Sequence, residues 1–456
     1  MTERRCKGRI HLSPKGDSTL RPFPVGRRPR TATEQPQVEA AHESEEGKLI
    51  KSILKRSLRI EPKVNFIPTG ILPFDAVVGG VPVGHITLIG GLPGSGKTLF
   101  CLKLTATHLK EGGIVVYADT EGSTTPQRLE TMGIPLDLLD NRLFLRHYIM
   151  LEDCLTDIKN LLIRLAESNK EKKKFLIILD SLSSLLPVKW EEVSSGEKGL
   201  ISDAPIGVFA RTGSIFLAGL PNLLLEANAA LVITTQMRAD ISMGGRGAPF
   251  KMFKFYALEH LSRLTIQLYT PEVFSPPFVS ALELEGESED KVVSLKGAYH
   301  KVRIGFKKAQ VFASQTAVPP NLDISFFYPI VEIPQLGLRA GDVDNIYHVL
   351  VYGVLTEVLY KEVKPGLGTV FYFPVDEERI VRFSYLDAYT KPKLRELLLT
   401  EAAERIKRKI SQLLVAQTKG REIFREEEEE EDEEELEITP TPAVDEDEEL
   451  DSEEED

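Results

Sequence analysis

Gly91-Leu92-Pro93-Gly94-Ser95-Gly96-Lys97-Thr98 is the stretch whose reading decides the fold. It satisfies G-x-x-x-x-G-K-[ST] at every fixed position, after the apolar run HITLIG and before the helix-like KTLFCLKLTATHL. A strand that feeds a glycine-rich turn and then a helix turns successive backbone N–H groups onto one anion, with the positive helix end behind them. Lys97 would reach terminal phosphates and Thr98 would hold Mg²⁺. Leu99, next in the same turn, completes the phosphate-binding segment. On its own the octet predicts a nucleoside triphosphate site and nothing narrower.

Working outward, the same punctuation recurs. After the loop helix, Gly113 opens IVVYADTEG, an apolar strand ending in acids, and helical spacing follows over Thr125 to Met132 and Asp153 to Glu167. Lys174 leads into FLIILDSLSSLLP, closed by Asp180, and AALVITTQ ends at Gln236. Fully apolar strands alternating with helices predict an α/β fold, a mostly parallel sheet with helices on both faces. Such a sheet binds its ligand at the carboxyl ends of the strands. Asp180, about 80 residues after the phosphate loop, has the place of a Walker B acid in the Mg²⁺ shell beside Thr98. Glu121 is the candidate general base for an attacking water. Asp119, two residues earlier, is either a second candidate or a strand-end hydrogen-bond acceptor.

Composition bounds the rest. A chain of 456 residues predicts two domains plus tails, and 42% hydrophobic residues describe a globular middle. No run of 18 uncharged apolar residues exists, so no membrane span is expected. Cys6, Cys101 and Cys154 form no metal-ligand or disulfide pattern, which favours a reducing, cytoplasmic compartment. The net charge of −13 hides a division: Glu426 to Asp456 holds 21 acidic residues and no Lys or Arg, leaving +8 on the preceding 425. A basic body suits a polyanion, and the acidic tail either competes with that polyanion, recruits partners or keeps the chain soluble. Residues 1–45 read as a disordered basic arm: nine Arg or Lys stand among the first 30 residues against Glu3 and Asp17. That arm fits a nucleic-acid contact, an organellar transit peptide or a plain solvated tail. An amphipathic helix is predicted over 46–62, packing on its own core or on a neighbouring subunit.

The order GLPGSGKT, YADTEGSTTPQRLETMGI, LIILDSLSSLLP, LVITTQMRADI and KFYALEHLSRLTIQL resembles the RecA-type strand-exchange recombinases, in particular the bacterial and phage branch that includes the UvsX proteins. The resemblance covers roughly Leu49 to Gln412. It implies a RecA-like P-loop ATPase core with ATP and Mg²⁺ as cofactors, and it implies a filament on single-stranded DNA that pairs with duplex DNA. Glu121 matches the family's catalytic glutamate. Gln236 matches the glutamine that senses the γ-phosphate and signals into the second DNA loop, although it stands in Thr-Thr-Gln rather than after an Asn. Arg128 matches a position that stacks on adenine; a solvated helix arginine is the other reading.

The stretch MRADISMGGRGAPFKM (Met237 to Met252) resembles the second DNA loop, with Arg238, Arg246 and Lys251 as phosphate contacts. Val188 to Pro205 resembles the first, and Arg211 in the next helix matches a DNA contact, while a second family arginine is Ala218 here. Trp190 either stacks on a base or anchors its loop. Lys254 and Phe255 match subunit-interface positions, with a core phenylalanine as the alternative for Phe255. Lys307 and Lys308 stand where the family supplies cations to a neighbour's ATP, with one residue of freedom in the alignment.

The chain is thus expected to hold an ATPase core with DNA-binding loops over 63–333, a small α/β C-terminal domain over 334–420 and an acidic disordered tail over 421–456. Lys391, Lys393, Arg395, Arg405, Lys407, Arg408 and Lys409 give that small domain a basic helix, for duplex capture or plain solvation. Expected partners are single- and double-stranded DNA, further copies of the chain in a helical filament, and single-strand-binding or mediator proteins, with no membrane. The alternatives are a hexameric DnaB-like motor, set back by 45 N-terminal residues without a core, and a KaiC- or mediator-type ATP-binding regulator. A zinc-bearing RadA-type protein is disfavoured because no four-cysteine cluster exists.

Overall fold

The apolar strands stack as the sequence predicts because their side chains alternate between two cores. In the computed structural model, which describes residues 64–187, 204–239, 250–253, 256–278, 297–310, 324–364 and 368–415, Leu176 and Ile178 of β6 (Phe175–Asp180) enter one core. Ile177 and Leu179 enter the other. The expected helix over 46–62, both tails, Trp190, Arg246, Lys254 and Phe255 lie outside the described residues.

Ahead of the sheet, β1 (Phe66–Ile67) pairs with β2 (Val81–Pro82) around α1 (Leu72–Val78). Pro73 sits in the first turn of α1 and Gly79 closes it in the left-handed region at φ 91°, so each residue that looks like a breaker serves as a boundary.

The large sheet then assembles from β3 (Ile86–Gly91), β4 (Ile114–Asp119), β5 (Leu143–His147), β6 and β7 (Ala229–Ala239). Short β8 (Phe250–Met252) folds back on β7, and β9 (Ser262–Leu268), β10 (Glu272–Phe274), β11 (Tyr299–Ala309) and β12 (Ser325–Pro329) extend the sheet. The order is β10-β11-β9-β3-β7-β6-β4-β5, with β12 on β11 and β8 on β7. From β9 to β5 every neighbour is parallel; β8, β10, β11 and β12 pair antiparallel. In β11 a bulge falls between Phe306 and Lys308, so Lys307 has no partner on β9.

On one face α2 (Lys97–Lys110) buries Phe100, Cys101 and Leu104 against Ile89, Val115, Tyr117 and Val232. On the other, α4 (Leu151–Ser168) and the successive helices α5 (Ala204–Ala218) and α6 (Leu220–Ala227) cover Leu88, Ala118 and Ile233. The periodicity read over Asp153 to Glu167 lies inside α4, whose Leu151, Leu155, Ile158 and Leu162 form its buried stripe. The short helices α3 (Pro126–Thr131) and α7 (Tyr256–Leu261) follow β4 and precede β9.

Beyond Ile333 come α8 (Asn345–Leu355), a three-stranded antiparallel sheet of β13 (Tyr360–Lys364), β14 (Gly368–Pro374) and β15 (Ile380–Ser384), and α9 (Tyr385–Thr390). The long basic helix α10 starts at Pro392, passes through a π-helical segment at Leu398–Ala402 and continues helical to residue 415. These elements share the core of α2: Phe371, Phe373, Phe383 and Leu398 belong to one continuous cluster with Phe100 and Ile89. At the seam, buried Asp344 caps α8 by accepting from the Tyr347 N–H at 2.9 Å, and it also accepts from the hydroxyls of Tyr299 at 3.0 Å and Tyr389 at 2.7 Å. Burial raises the Asp344 pKa above the usual carboxylate value, against the opposing effect of the three donors.

Candidate active site

Parallel pairing places Gly91 beside Gln236 on one side and Leu268 on the other, so the phosphate loop leaves the middle of the sheet at its carboxyl edge. The loop needs its glycines. Gly94 (φ 74°) and Gly96 (φ 91°) are left-handed, and among the described residues no atom beyond its chain neighbours lies within 4 Å of where a Gly94 Cβ would stand. A Cβ on Gly91 would lie 2.2 Å from Ser95 Oγ and 2.8 Å from the Leu268 carbonyl oxygen. Leu92 is half-buried, Pro93 and Gly94 are exposed, and Thr98 and Leu99 are half-buried in the first turn of α2.

Lys97 is 8% exposed, and its Nζ donates to the carbonyls of Gly91 at 3.1 Å and Leu92 at 3.0 Å. Burial pushes its pKa below the usual lysine value; the carboxylates of Asp180 and Glu121 act in the opposite direction. The buried Ser95 hydroxyl has no hydrogen-bond partner among the described residues. A cradle of left-handed glycines, an unpartnered buried hydroxyl, a cation and a helix start fits a triphosphate. The neighbouring carboxylate of Asp180 and hydroxyl of Thr98 suit the oxygen preference of Mg²⁺.

Asp180 is 3% exposed. Tyr117 Oη donates to its Oδ2 at 2.8 Å and Thr234 Oγ1 donates to its Oδ1 at 2.5 Å. Each oxygen retains a second lone pair. Burial, and next Asp180, push the Tyr117 pKa well up, so this phenol stays a donor. Asp119 is engaged in the loop that follows it: its Oδ1 accepts from the Glu121 N–H at 3.1 Å and its Oδ2 from the Thr124 N–H at 2.7 Å. That arrangement matches the strand-end acceptor of the two readings left open above.

Glu121 lies two residues beyond β4, exposed, over a group of hydroxyls. Its Oε1 accepts from Ser181 Oγ at 2.9 Å, Ser184 Oγ at 3.0 Å and Gln236 Nε2 at 3.4 Å. The structure therefore brings together Lys97, Asp180, Glu121 and Gln236, which the chain spreads over 140 residues. Sequence reading missed Ser181, Ser183, Ser184, Tyr117 and Thr234. Only the run Ser181-Leu-Ser-Ser184 directly after the strand-end Asp180 hinted at them.

The remaining residues lie elsewhere. Arg128 donates to the Ser123 carbonyl at 3.2 Å and its N–H bonds the capping Thr125 Oγ1 at 3.3 Å, contacts within its own loop. Arg211 is exposed on α5. Arg238 pairs in register with Lys251 on the β7–β8 hairpin, where Lys251 is exposed. Lys308 Nζ donates to the carbonyls of Glu259 at 2.7 Å and His260 at 3.0 Å at the end of α7. Lys307 is exposed at the bulge.

A phosphate loop on a central strand of a parallel sheet, with a glutamine ending that strand's pairing on the adjacent strand and a buried acid at the end of the next strand beyond, defines a P-loop nucleotide-binding fold of RecA type. The chain belongs to the RecA family: the RecA N-terminal domain matches residues 38–268, half of the chain. It is similar to the protein RecA of Aquifex pyrophilus, 31% identical over 199 residues that cover 41% of this chain and 52% of that one. It is similar to RecA of Campylobacter lari, 26% identical over 261 residues, covering 57% and 69% respectively. A mitochondrial DNA repair protein recA homolog of Dictyostelium discoideum is 33% identical over 183 residues, 40% of this chain and 37% of that one. The chain thus spans about half the length of the Aquifex relative. Among the described residues no helix is long and apolar enough to cross a membrane.

Proposed function

We propose that this chain is an ATP-dependent DNA recombinase that polymerises on single-stranded DNA and pairs it with homologous duplex DNA. The observation that carries this reading is the 3.4 Å approach of Gln236 Nε2 to Glu121 Oε1, which joins a carboxylate able to orient water to the strand that leads into a basic hairpin. ATP with Mg²⁺, held by Gly91 to Leu99 together with Asp180, supplies the phosphoanhydride. Lys97 neutralises phosphate charge, Glu121 orients the attacking water, and Gln236 links that site to Arg238 and Lys251. Arg211 and Arg246 add contacts to the DNA backbone, and Lys254 and Phe255 join one subunit to the next. Lys307 reaches the neighbouring subunit's nucleotide, and Arg128 lies against its base. The names of the relatives, RecA and a mitochondrial DNA repair protein, support a role in recombination and repair. They accommodate either a cytoplasmic site of action or an organellar one reached through the basic N-terminal arm.

The test is ATP hydrolysis with and without single-stranded DNA, together with strand exchange. Hydrolysis should rise with DNA, and both activities should vanish in Lys97→Ala. Equal hydrolysis with and without DNA would count against the reading. Electron microscopy with single-stranded DNA and a non-hydrolysable ATP analogue should show helical filaments; closed rings would favour a hexameric motor.

A further inference from the structure

The three serines beneath Glu121 make more contacts than holding one carboxylate requires, and counting their protons gives the network a direction. Ser181 and Ser184 each direct their single hydroxyl proton to Glu121 Oε1. In the 3.0 Å contact between Ser181 Oγ and Ser183 Oγ the donor is therefore Ser183. Ser183 in turn accepts from the backbone N–H of Gln236 at 3.3 Å. The 3.0 Å approach of Ser181 Oγ to Ser184 Oγ is left without a proton, two oxygens held together by one shared acceptor. A single polarised chain thus runs from the Gln236 N–H through Ser183 and Ser181 to Glu121, parallel to the direct contact from the Gln236 side chain.

Four further bonds, two at each end, fix this chain in place. Thr120 and Ser181 clasp each other, Thr120 Oγ1 donating to the Ser181 carbonyl and accepting from its N–H, both at 2.8 Å, so the first serine cannot shift without β4. At the other end the Gln236 carbonyl accepts from the Phe253 N–H at 2.9 Å, and Thr235 Oγ1 donates to the Phe253 carbonyl, which ties this point of β7 to the segment leaving β8. Phe253 itself packs on Phe209 of α5 with ring centroids 5.2 Å apart.

We propose that Ser183 is a positioning residue that couples the Glu121 carboxylate to the stem of the β7–β8 hairpin through the Gln236 backbone, alongside the Gln236 side chain. Hydrogen bonds in a chain polarise one another, so moving the terminal acceptor weakens the link at the far end. Ser183 is the one member whose removal cuts the backbone branch and leaves the donors from Ser181, Ser184 and Gln236 Nε2 on Glu121. The coupling rests on the recombinase reading for its use, but its physical content lies in the protein alone.

The test therefore has an arm that needs neither nucleotide nor DNA. In amide hydrogen exchange of the full-length chain, Ser183→Ala should speed exchange at Gln236 about fivefold, the effect of one lost hydrogen bond. The amides of Ala230 to Thr234 should keep their protection. Glu121→Ala should also speed exchange at Gln236, about twofold, and the double variant should exchange no faster than Ser183→Ala. Unchanged exchange in Ser183→Ala, or effects of the two substitutions that multiply, would overturn the proposal. In the second arm, the ratio of DNA-stimulated to unstimulated ATP hydrolysis should fall about fivefold in Ser183→Ala and return in Ser183→Thr, which keeps the hydroxyl. A Ser183→Thr protein that stays impaired would count against a relay through oxygen. If the unaltered protein shows no DNA stimulation, the recombinase reading fails, and the exchange arm still decides the coupling.

Discussion

Asp75 shows how much one half-buried carboxylate can set conditions for the fold. It accepts from the Thr69 N–H at 2.8 Å, the Thr69 hydroxyl at 2.7 Å and the Gly70 N–H at 2.9 Å, pinning the turn before α1. Burial outweighs these donors and raises its pKa from 3.8 to about 6. The native state therefore holds this proton more tightly than the unfolded chain does, and the stability it contributes is present below about pH 4 and lost as pH rises through about 6. Melting temperatures across that window should fall with rising pH from this group, and Asp75→Asn should flatten that part of the slope; an unchanged slope would contradict it. Thr234 is a second single-residue case. Its hydroxyl donates to the buried Asp180, so Thr234→Val leaves a carboxylate oxygen short of a donor and should cost roughly 1.5–3 kcal/mol in urea unfolding, the range for a bond to a charged group. A cost near zero would mean that water replaces the hydroxyl.

Elements differ in how far the sequence exposes them. Strands β3, β4, β6 and β7 were legible because both of their faces are buried, so their apolar runs are continuous, and β4 and β6 close on the acids Asp119 and Asp180 at the sheet edge. The helix α1 was not, because Pro73 and Gly79 look like interruptions until their places at its two ends are known. Strand β11 carries His, Lys and Arg among its apolar residues, and only its antiparallel pairing with β9 and β12 explains why Tyr299, Val302 and Ile304 are buried while Arg303 and Lys307 are not. The same distinction governs the site. A phosphate loop is a local pattern and reads directly, whereas Ser183 acquires its partner on Gln236, 53 residues away, only when β6 and β7 lie side by side. At this scale Gly90→Ala is informative: a Cβ there would meet the Met252 sulfur at 2.5 Å, the flexible tip of a β8 side chain. It should cost less than about 1.5 kcal/mol in stability, yet it should alter exchange in β8. Large destabilisation would mean that Met252 cannot move aside.

Across the whole of the described chain, the elements after Ile333 share the core of the nucleotide-binding sheet. Phe371, Phe373 and Phe383 lie in one apolar cluster with Phe100, and Asp344 joins Tyr299 of the large sheet to Tyr389 of α9. Cooperative unfolding is the expected consequence: calorimetry should show a single transition for this unit, and Tyr389→Phe should lower it by about 1–3 kcal/mol, the cost of an acceptor left short in a buried network. Two separated transitions would show that the C-terminal elements fold independently. The charge division belongs to this scale as well. With 21 acidic residues in the last 31 and +8 on the rest, truncation after Arg425 should strengthen duplex DNA binding and change its dependence on salt; identical binding isotherms would remove the tail from any such role.

The bulge in β11 assigns two adjacent lysines to different tasks. In a regular strand Lys307 and Lys308 would point to opposite faces; here the extra residue leaves Lys307 unpaired with β9, while Lys308 returns to cap the carbonyl end of α7. One cation is bonded within its own chain, and the other is left exposed. Deleting Lys307 would therefore not simply subtract a charge. It would restore the regular pleat and leave one lysine where there are now two, so this single inserted residue lets one strand both bond the end of α7 and present an exposed cation.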